Sequence, residues 1–204
     1  MSINKGILSV LLIMVFVVRF ITVVVYSHSA RNPLGADASQ YEEMAVDLLA
    51  GRGLINHYTG QATSWRMPLY PLFLAGVYYL FGHNIFAVWV IQCILGVLLA
   101  AAIYLISKIV FNEKTALLSA LTFIFYQPYV FYLFYGGPFF LYSENLFVPL
   151  TGLYLFFFIK SLQDIEYDVR SSFLAGVFMG LATLSRSIIA IFPKGANAII
   201  SGPS

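Results

Sequence analysis

The sequence predicts an all-α, polytopic membrane helix bundle. A long first outer loop carries a short amphipathic helix and a re-entrant or interfacial segment. Three observations predict this class. Hydrophobic residues are 60% of the 204 and charged ones only 10%, against about half and about a quarter in an ordinary soluble domain. Mean hydropathy is +0.86, so the chain has too little polar surface to cover itself in water. Its apolar residues also gather into runs of bilayer length. The net charge of +2 is too small to point to nucleic acid. The lone cysteine, Cys93, lies inside an apolar run. It has no partner for an internal disulfide and reads as a packing residue.

The elements follow in order. Ile7–Tyr26 is apolar except for Arg19. A signal-peptide core is about 7–15 residues. This run is longer, and a helix of its length covers roughly 30 Å, the thickness of the hydrocarbon layer. It is expected to be a retained anchor rather than a cleaved leader, although SHSA (Ser27 to Ala30) would serve as a weak cleavage site. Further spans are expected at Ile85–Val110, Thr115–Leu133, Asn145–Ile159 and Phe173–Phe192, the fourth starting as early as Leu141. Pro68–Phe81 is shorter, contains two prolines and ends at Gly82, which suits a segment that does not cross.

Charge bias sets the orientation, because cytoplasmic loops carry excess Lys and Arg. With Pro68–Phe81 not crossing and the N-terminus inside, Lys5, Lys108, Lys114, Lys160 and Arg170 all fall on the cytoplasmic side. The loop 27–67 then faces the exterior. Tyr126, Tyr129, Tyr132, Tyr135 and Tyr142 cluster near the outer end of the third span and the loop after it. They read either as an interfacial aromatic belt or as a platform for a sugar ring or an isoprenoid.

Within the outer loop, Tyr41, Met44, Ala45, Leu48 and Leu49 recur at helical spacing and share a face. Glu42, Glu43 and Asp47 fall on other faces, and Gly51 and Gly53 are suitable stops. A short helix lying on the membrane surface and packed onto the protein is expected. Asp37 and Gln40 form D-x-x-Q, close to a capping box, so Asp37 reads as a helix cap, as a chemical group, or as both. Arg66 stands before Pro68 at a kink where the chain returns to the membrane. It reads as a headgroup contact or as a guanidinium holding a phosphate. Arg19, Glu144 and Arg186 lie in or beside spans, where ionisable groups are costly unless paired or facing a polar cavity. All three lean to the outer half. They suggest an outward-facing polar site, and a purely structural Glu–Arg pair is the alternative.

These residues occur in a familiar order. An arginine-bearing first helix is followed by D-x-x-x-Y (Asp37, Tyr41) and A-x-x-L-L-x-G-x-G (Ala45 to Gly53). Then come R-x-P-x-Y-P-L-F-L-A (Arg66 to Ala75), S-E-x-L-F (Ser143 to Phe147) and G-L-A-x-L-S-R (Gly180 to Arg186). The ordered set resembles the N-terminal half of the GT-C superfamily of membrane glycosyltransferases, in the branch akin to protein mannosyltransferases and aminoarabinose transferases. The resemblance implies transfer of a sugar from a polyprenyl-phosphate carrier to a glycan, lipid or protein acceptor on the outer face of a bacterial inner membrane. It implies Asp37 as the catalytic carboxylate in the first outer loop. Arg66 and Arg186 are candidates for the donor phosphate, with Tyr41, Glu144 and Arg19 in support. A carboxylate can take the proton of the attacking hydroxyl, and the leaving phosphate calls for positive charge. Direct attack would invert the anomeric centre.

There are departures from the family pattern. Met67 and Leu69 stand where relatives often have Pro and Gly, and Ala38 follows Asp37 where many have Glu. Trp65 and Arg66 occupy the neighbourhood of a metal-holding Glu, so neither a metal nor a separate cofactor is expected. The chain is also short for the family. Its ending, PKGANAIISGPS, reads as that of a truncated or frame-shifted product or a fragment, with 194–204 a short irregular tail. The competing expectations are a transporter or channel component and a non-catalytic membrane scaffold.

Overall fold

The computed structural model of the chain describes residues 5–29, 36–56, 61–62, 66–125, 141–163 and 168–186. Most of the tyrosine cluster (Tyr126, Tyr129, Tyr132 and Tyr135), the second half of the expected third span, the end of the fifth and the tail 194–204 lie outside them. The described architecture is helical: α1 (Lys5–Ser29), α2 (Ala36–Leu49), α3 (Leu69–Phe81), α4 (Ile85–Val110), α5 (Glu113–Phe125), α6 (Glu144–Ser161) and α7 (Val169–Ser185). A small antiparallel hairpin, β1 (Ile55–Asn56) with β2 (Gln61–Ala62), lies between α2 and α3. No periodicity in the sequence foretold it. Among the described residues, α1 and α4 are long and apolar enough to cross a membrane.

α1 exposes Val10, Ile13, Val17 and Ile21 while it buries Leu11 and Val15. An apolar outer surface of this kind suits lipid as solvent. α1 and α4 run antiparallel. Leu11 and Val15 meet Ala100 and Tyr104, whereas Val23 meets Trp89 and Cys93. α5 folds back through a short turn, where the Asn112 Oδ1 accepts from the Thr115 N–H at 3.0 Å. Ala116 and Ala120 of α5 complete the cluster around Tyr104.

α6 runs parallel to α4. Its Gly152 faces Leu99 and Ala102 of α4 so closely that a Cβ there would stand 2.8 Å from the Leu99 Cδ1. Small residues at such a crossing let helices approach where no hydrophobic effect drives them together. α6 and α7 form an antiparallel hairpin, with Phe157 stacked on Phe178 at 5.6 Å. Asp168 caps α7 by accepting from the backbone N–H groups of Arg170 and Ser171. That cap starts the helix at Val169, ahead of the apolar run that begins at Phe173.

α3 has 13 residues, about 20 Å at 1.5 Å per residue, too short for a hydrocarbon layer of roughly 30 Å. Gly82, at φ 70°, reverses the chain into α4. The Tyr70 hydroxyl near the start of α3 accepts from Gln92 Nε2 at 2.9 Å, so α3 lies back along the first turns of α4. α2 packs on α3, burying Ala38, Tyr41, Met44 and Ala45. Two expectations for α2 change. Leu49 is exposed, and Asp47 is buried, its Oδ1 accepting from Arg52 Nε and Nη2 at 2.8 and 2.6 Å. Glu42 meets His83 of the α3–α4 turn at 2.7 Å. Glu42 and Asp47 thus tie the helix to the segments after it, whereas Glu43 is exposed.

The bundle has two distinct ends. Lys108 and Glu113, Lys160 and Asp168, and the start of α1 lie at one. The helices α2 and α3, with Glu144 and Arg186, lie at the other.

Candidate functional site

At the α2–α3 end a line of polar side chains crosses four segments of the fold. Gln40 and Tyr41 come from α2. Arg66 precedes α3, where Pro68 stands at the helix start. Ser143 and Glu144 open α6, and Arg186 closes α7. Arg66 donates from Nε and Nη2 to the Gln40 Oε1, at 3.2 and 2.9 Å. Its Cζ lies 5.0 Å from the centre of the Tyr41 ring, in cation–π range. The buried Tyr41 hydroxyl donates to the Ser143 Oγ at 3.4 Å, and Ser143 donates to the Glu144 Oε2 at 3.3 Å. Arg186 Nη1 donates to the other Glu144 oxygen. The Tyr41 ring is edge-on to Tyr70, centroids 4.9 Å apart, and Tyr70 is anchored by Gln92.

The electrostatic sense of this line is consistent. Both Glu144 oxygens are acceptors here, for a hydroxyl and for a guanidinium, as an ionised carboxylate requires. Glu144 and Arg186 are each about two-fifths exposed. Its bond to Glu144 uses one of the five N–H donors of Arg186.

A family model described as dolichyl-phosphate-mannose-protein mannosyltransferase matches residues 65–200, more than half of the chain. The chain belongs to this family. Searches of curated proteins and of solved structures return no match. Membership makes the chain a membrane protein of the GT-C glycosyltransferase type, a class that works on lipid-linked sugars and acceptors in general. The matched range takes in Arg66, Ser143, Glu144 and Arg186, whereas Arg19, Asp37, Gln40 and Tyr41 precede it.

The expected site residues stand as follows. Tyr41, Arg66, Glu144 and Arg186 are brought together. Asp37 lies in the first turn of α2, which begins at Ala36. Its side chain is outside the described residues. The i, i+3, i+4 spacing puts the positions of Asp37, Gln40 and Tyr41 on one helical face. Gln40 turns to Arg66, so the capping-box reading does not hold for that residue. Arg19 sits against α4. A Cβ on Gly96 would stand 2.4 Å from the Arg19 Cζ, so the missing side chain at residue 96 makes room for the guanidinium within the apolar α1–α4 contact.

Sequence reasoning missed three partners, Gln40, Ser143 and Gln92. Gln92 carried a signal: a lone amide in the apolar run of α4 is costly unless paired. Ser143 lay in a quoted motif with no role attached. Gln40 carried no separable signal, because the same residue at the same spacing fits a cap.

Proposed function

We propose that this chain forms the donor side of a glycosyl transfer from a polyprenyl-phosphate-linked sugar at the outer face of a bacterial inner membrane. In this reading the bundle is multi-pass and the N-terminus is cytoplasmic. The observation that carries the reading is the continuous line Gln40–Arg66–Tyr41–Ser143–Glu144–Arg186. It places two guanidinium groups, from the segment before α3 and from the end of α7, at one end of an apolar bundle, with Gln40 and Tyr41 of the helix that bears Asp37.

The chemistry follows from the charges. The acceptor hydroxyl oxygen attacks the anomeric carbon and its proton passes to the Asp37 carboxylate. The bond from that carbon to the lipid phosphate breaks, and the electron pair leaves with the phosphate oxygen. Arg66 and Arg186 stabilise the charge that grows there, so neither a metal nor a separate cofactor takes part. Glu144 and Tyr41 hold these two guanidiniums in place, and Arg19 supports the α1–α4 contact. A glycan, lipid or protein hydroxyl serves as acceptor, and single displacement inverts the anomeric centre.

The test is transfer in membranes containing the chain, with a labelled polyprenyl-phosphate sugar. Asp37→Asn should lower turnover by about 10²–10⁴-fold with the protein level unchanged. Turnover equal to wild type removes Asp37 from the mechanism, and a product of retained configuration removes direct displacement.

A further inference from the structure

We infer that Glu42 and His83 are positioning residues for the donor site, a tie that fastens α2 to the far end of α3. This inference rests on the donor-site reading above. The Glu42 Oε1 meets the His83 Nε2 at 2.7 Å, with the Glu42 side chain largely buried and the imidazole about half exposed. His83 is held there by its own neighbours. Gly82, at φ 70°, turns the chain at the end of α3, and Asn84 starts α4 by accepting from the Ala87 N–H at 3.2 Å. The Tyr78 ring lies edge-on to the imidazole, centroids 4.7 Å apart. A residue set between a turn and a helix cap, and packed against a ring, is a firm anchor for a side chain on another helix.

Two ties therefore bracket α3. Gln40 reaches Arg66 before that helix begins, and Glu42 reaches His83 after it ends. At about 100° per residue, the two side chains leave α2 about 200° apart, on opposite sides of its axis. Between them Ala38 and Tyr41 are buried, Tyr41 against Tyr70 of α3. An apolar contact with one tie would let α2 roll about its axis, whereas ties on both sides stop the roll. The positions of Asp37, Gln40 and Tyr41 share a face, so a roll would swing all three and strain the Tyr41–Ser143 bond. The other acidic residues of α2 do not serve this purpose. Asp47 meets Arg52 beyond the end of the helix, and Glu43 is exposed.

The test is hydrogen exchange of α2 in the detergent-solubilised full chain, paired with binding of farnesyl phosphomannose. Three variants separate the bond from the packing, and circular dichroism checks the fold of each. His83→Phe keeps a ring against Tyr78 and loses the bond. His83→Gln keeps an N–H for Glu42 and loses the ring. Glu42→Ala loses the bond and leaves the Tyr78–His83 contact in place. His83→Phe and Glu42→Ala should each speed exchange in α2, and weaken the ligand, by about two- to fivefold, the range of a partly exposed pair. His83→Gln should match wild type in both measurements, and exchange in α6 and α7 should stay constant throughout. If His83→Phe and Glu42→Ala exchange like wild type, or if His83→Gln loosens α2 as much as His83→Phe, the inference fails. If α2 loosens while the affinity holds, and Arg186→Gln abolishes binding, the pair does not position the site: the inference fails and the donor site stands. If Arg186→Gln binds like wild type, the donor-site reading fails and the positioning role falls with it.

Discussion

The Gln92–Tyr70 bond shows what a single polar pair does inside this fold. Both residues are buried, and the amide donates to the phenol at 2.9 Å. A buried polar group without a partner costs about 1–3 kcal/mol, while removing both partners together is close to neutral. Gln92→Leu and Tyr70→Phe should therefore each destabilise the protein by about 1–3 kcal/mol. The double variant should recover much of that loss. Thermal melts of the four proteins in detergent check it, and strictly additive losses would mean that the bond contributes nothing. Because Tyr70 abuts Tyr41, the same pair indirectly steadies the ring under Arg66. An amide alone in an apolar run could be recognised as needing a partner. That the partner is Tyr70, from the short helix α3, could not.

At the scale of elements, helix ends decide more than helix middles. α7 begins at a cap in which Asp168 accepts from two backbone N–H groups and from the Ser171 hydroxyl, with Lys160 3.7 Å away. The Ser171 bonds, foremost, and Lys160 hold the Asp168 carboxyl below the usual carboxylate range. A carboxylate with a lowered folded-state pKa adds stability that is whole above its unfolded value of about 3.9. That stability fades as pH falls through the folded value. The melting-temperature gap between wild type and Asp168→Ala should thus stay constant between about pH 5 and 8 and close in acid below about pH 4. A gap that persists unchanged in strong acid would show that the carboxylate's charge is not what holds the cap. Element boundaries were partly legible: α4 spans the predicted Ile85–Val110, because Asn84 caps it where the apolar run begins. α2 was legible in its period but not in its charges. Asp47 occupies a polar position by pattern, yet its carboxylate is buried and is met by the exposed Arg52, which follows closely in sequence.

For the whole molecule, the sidedness of the bundle is the property on which function depends. Lys108, Lys160 and Asp168 gather at one end and α2, α3, Glu144 and Arg186 at the other. If the α2 end faces outward, Ala50→Cys should react with a membrane-impermeant maleimide added to intact cells. Lys114→Cys should react only after permeabilisation. Both positions are exposed, and the native Cys93 is buried, so the background is low. The reverse labelling pattern would turn the donor site to the cytoplasm and end the proposal for an outer-face transfer.

Hydropathy and local spacing were enough to establish a membrane protein made of helices, among them a short helix over Ala36–Leu49 and a 13-residue apolar one over Leu69–Phe81. Those properties depend on runs of neighbours along the chain, and a sequence displays its neighbours. The union of Tyr41 with Ser143 joins residues 102 positions apart, and that of Glu144 with Arg186 joins residues 42 apart. Only the packing of α2 on α3 and the α6–α7 hairpin closes such distances, since a side chain's partner depends on where helices cross. Several partners for Arg66 were compatible with the sequence around it, and it is the tertiary fold that brings the Gln40 amide and the Tyr41 ring to it.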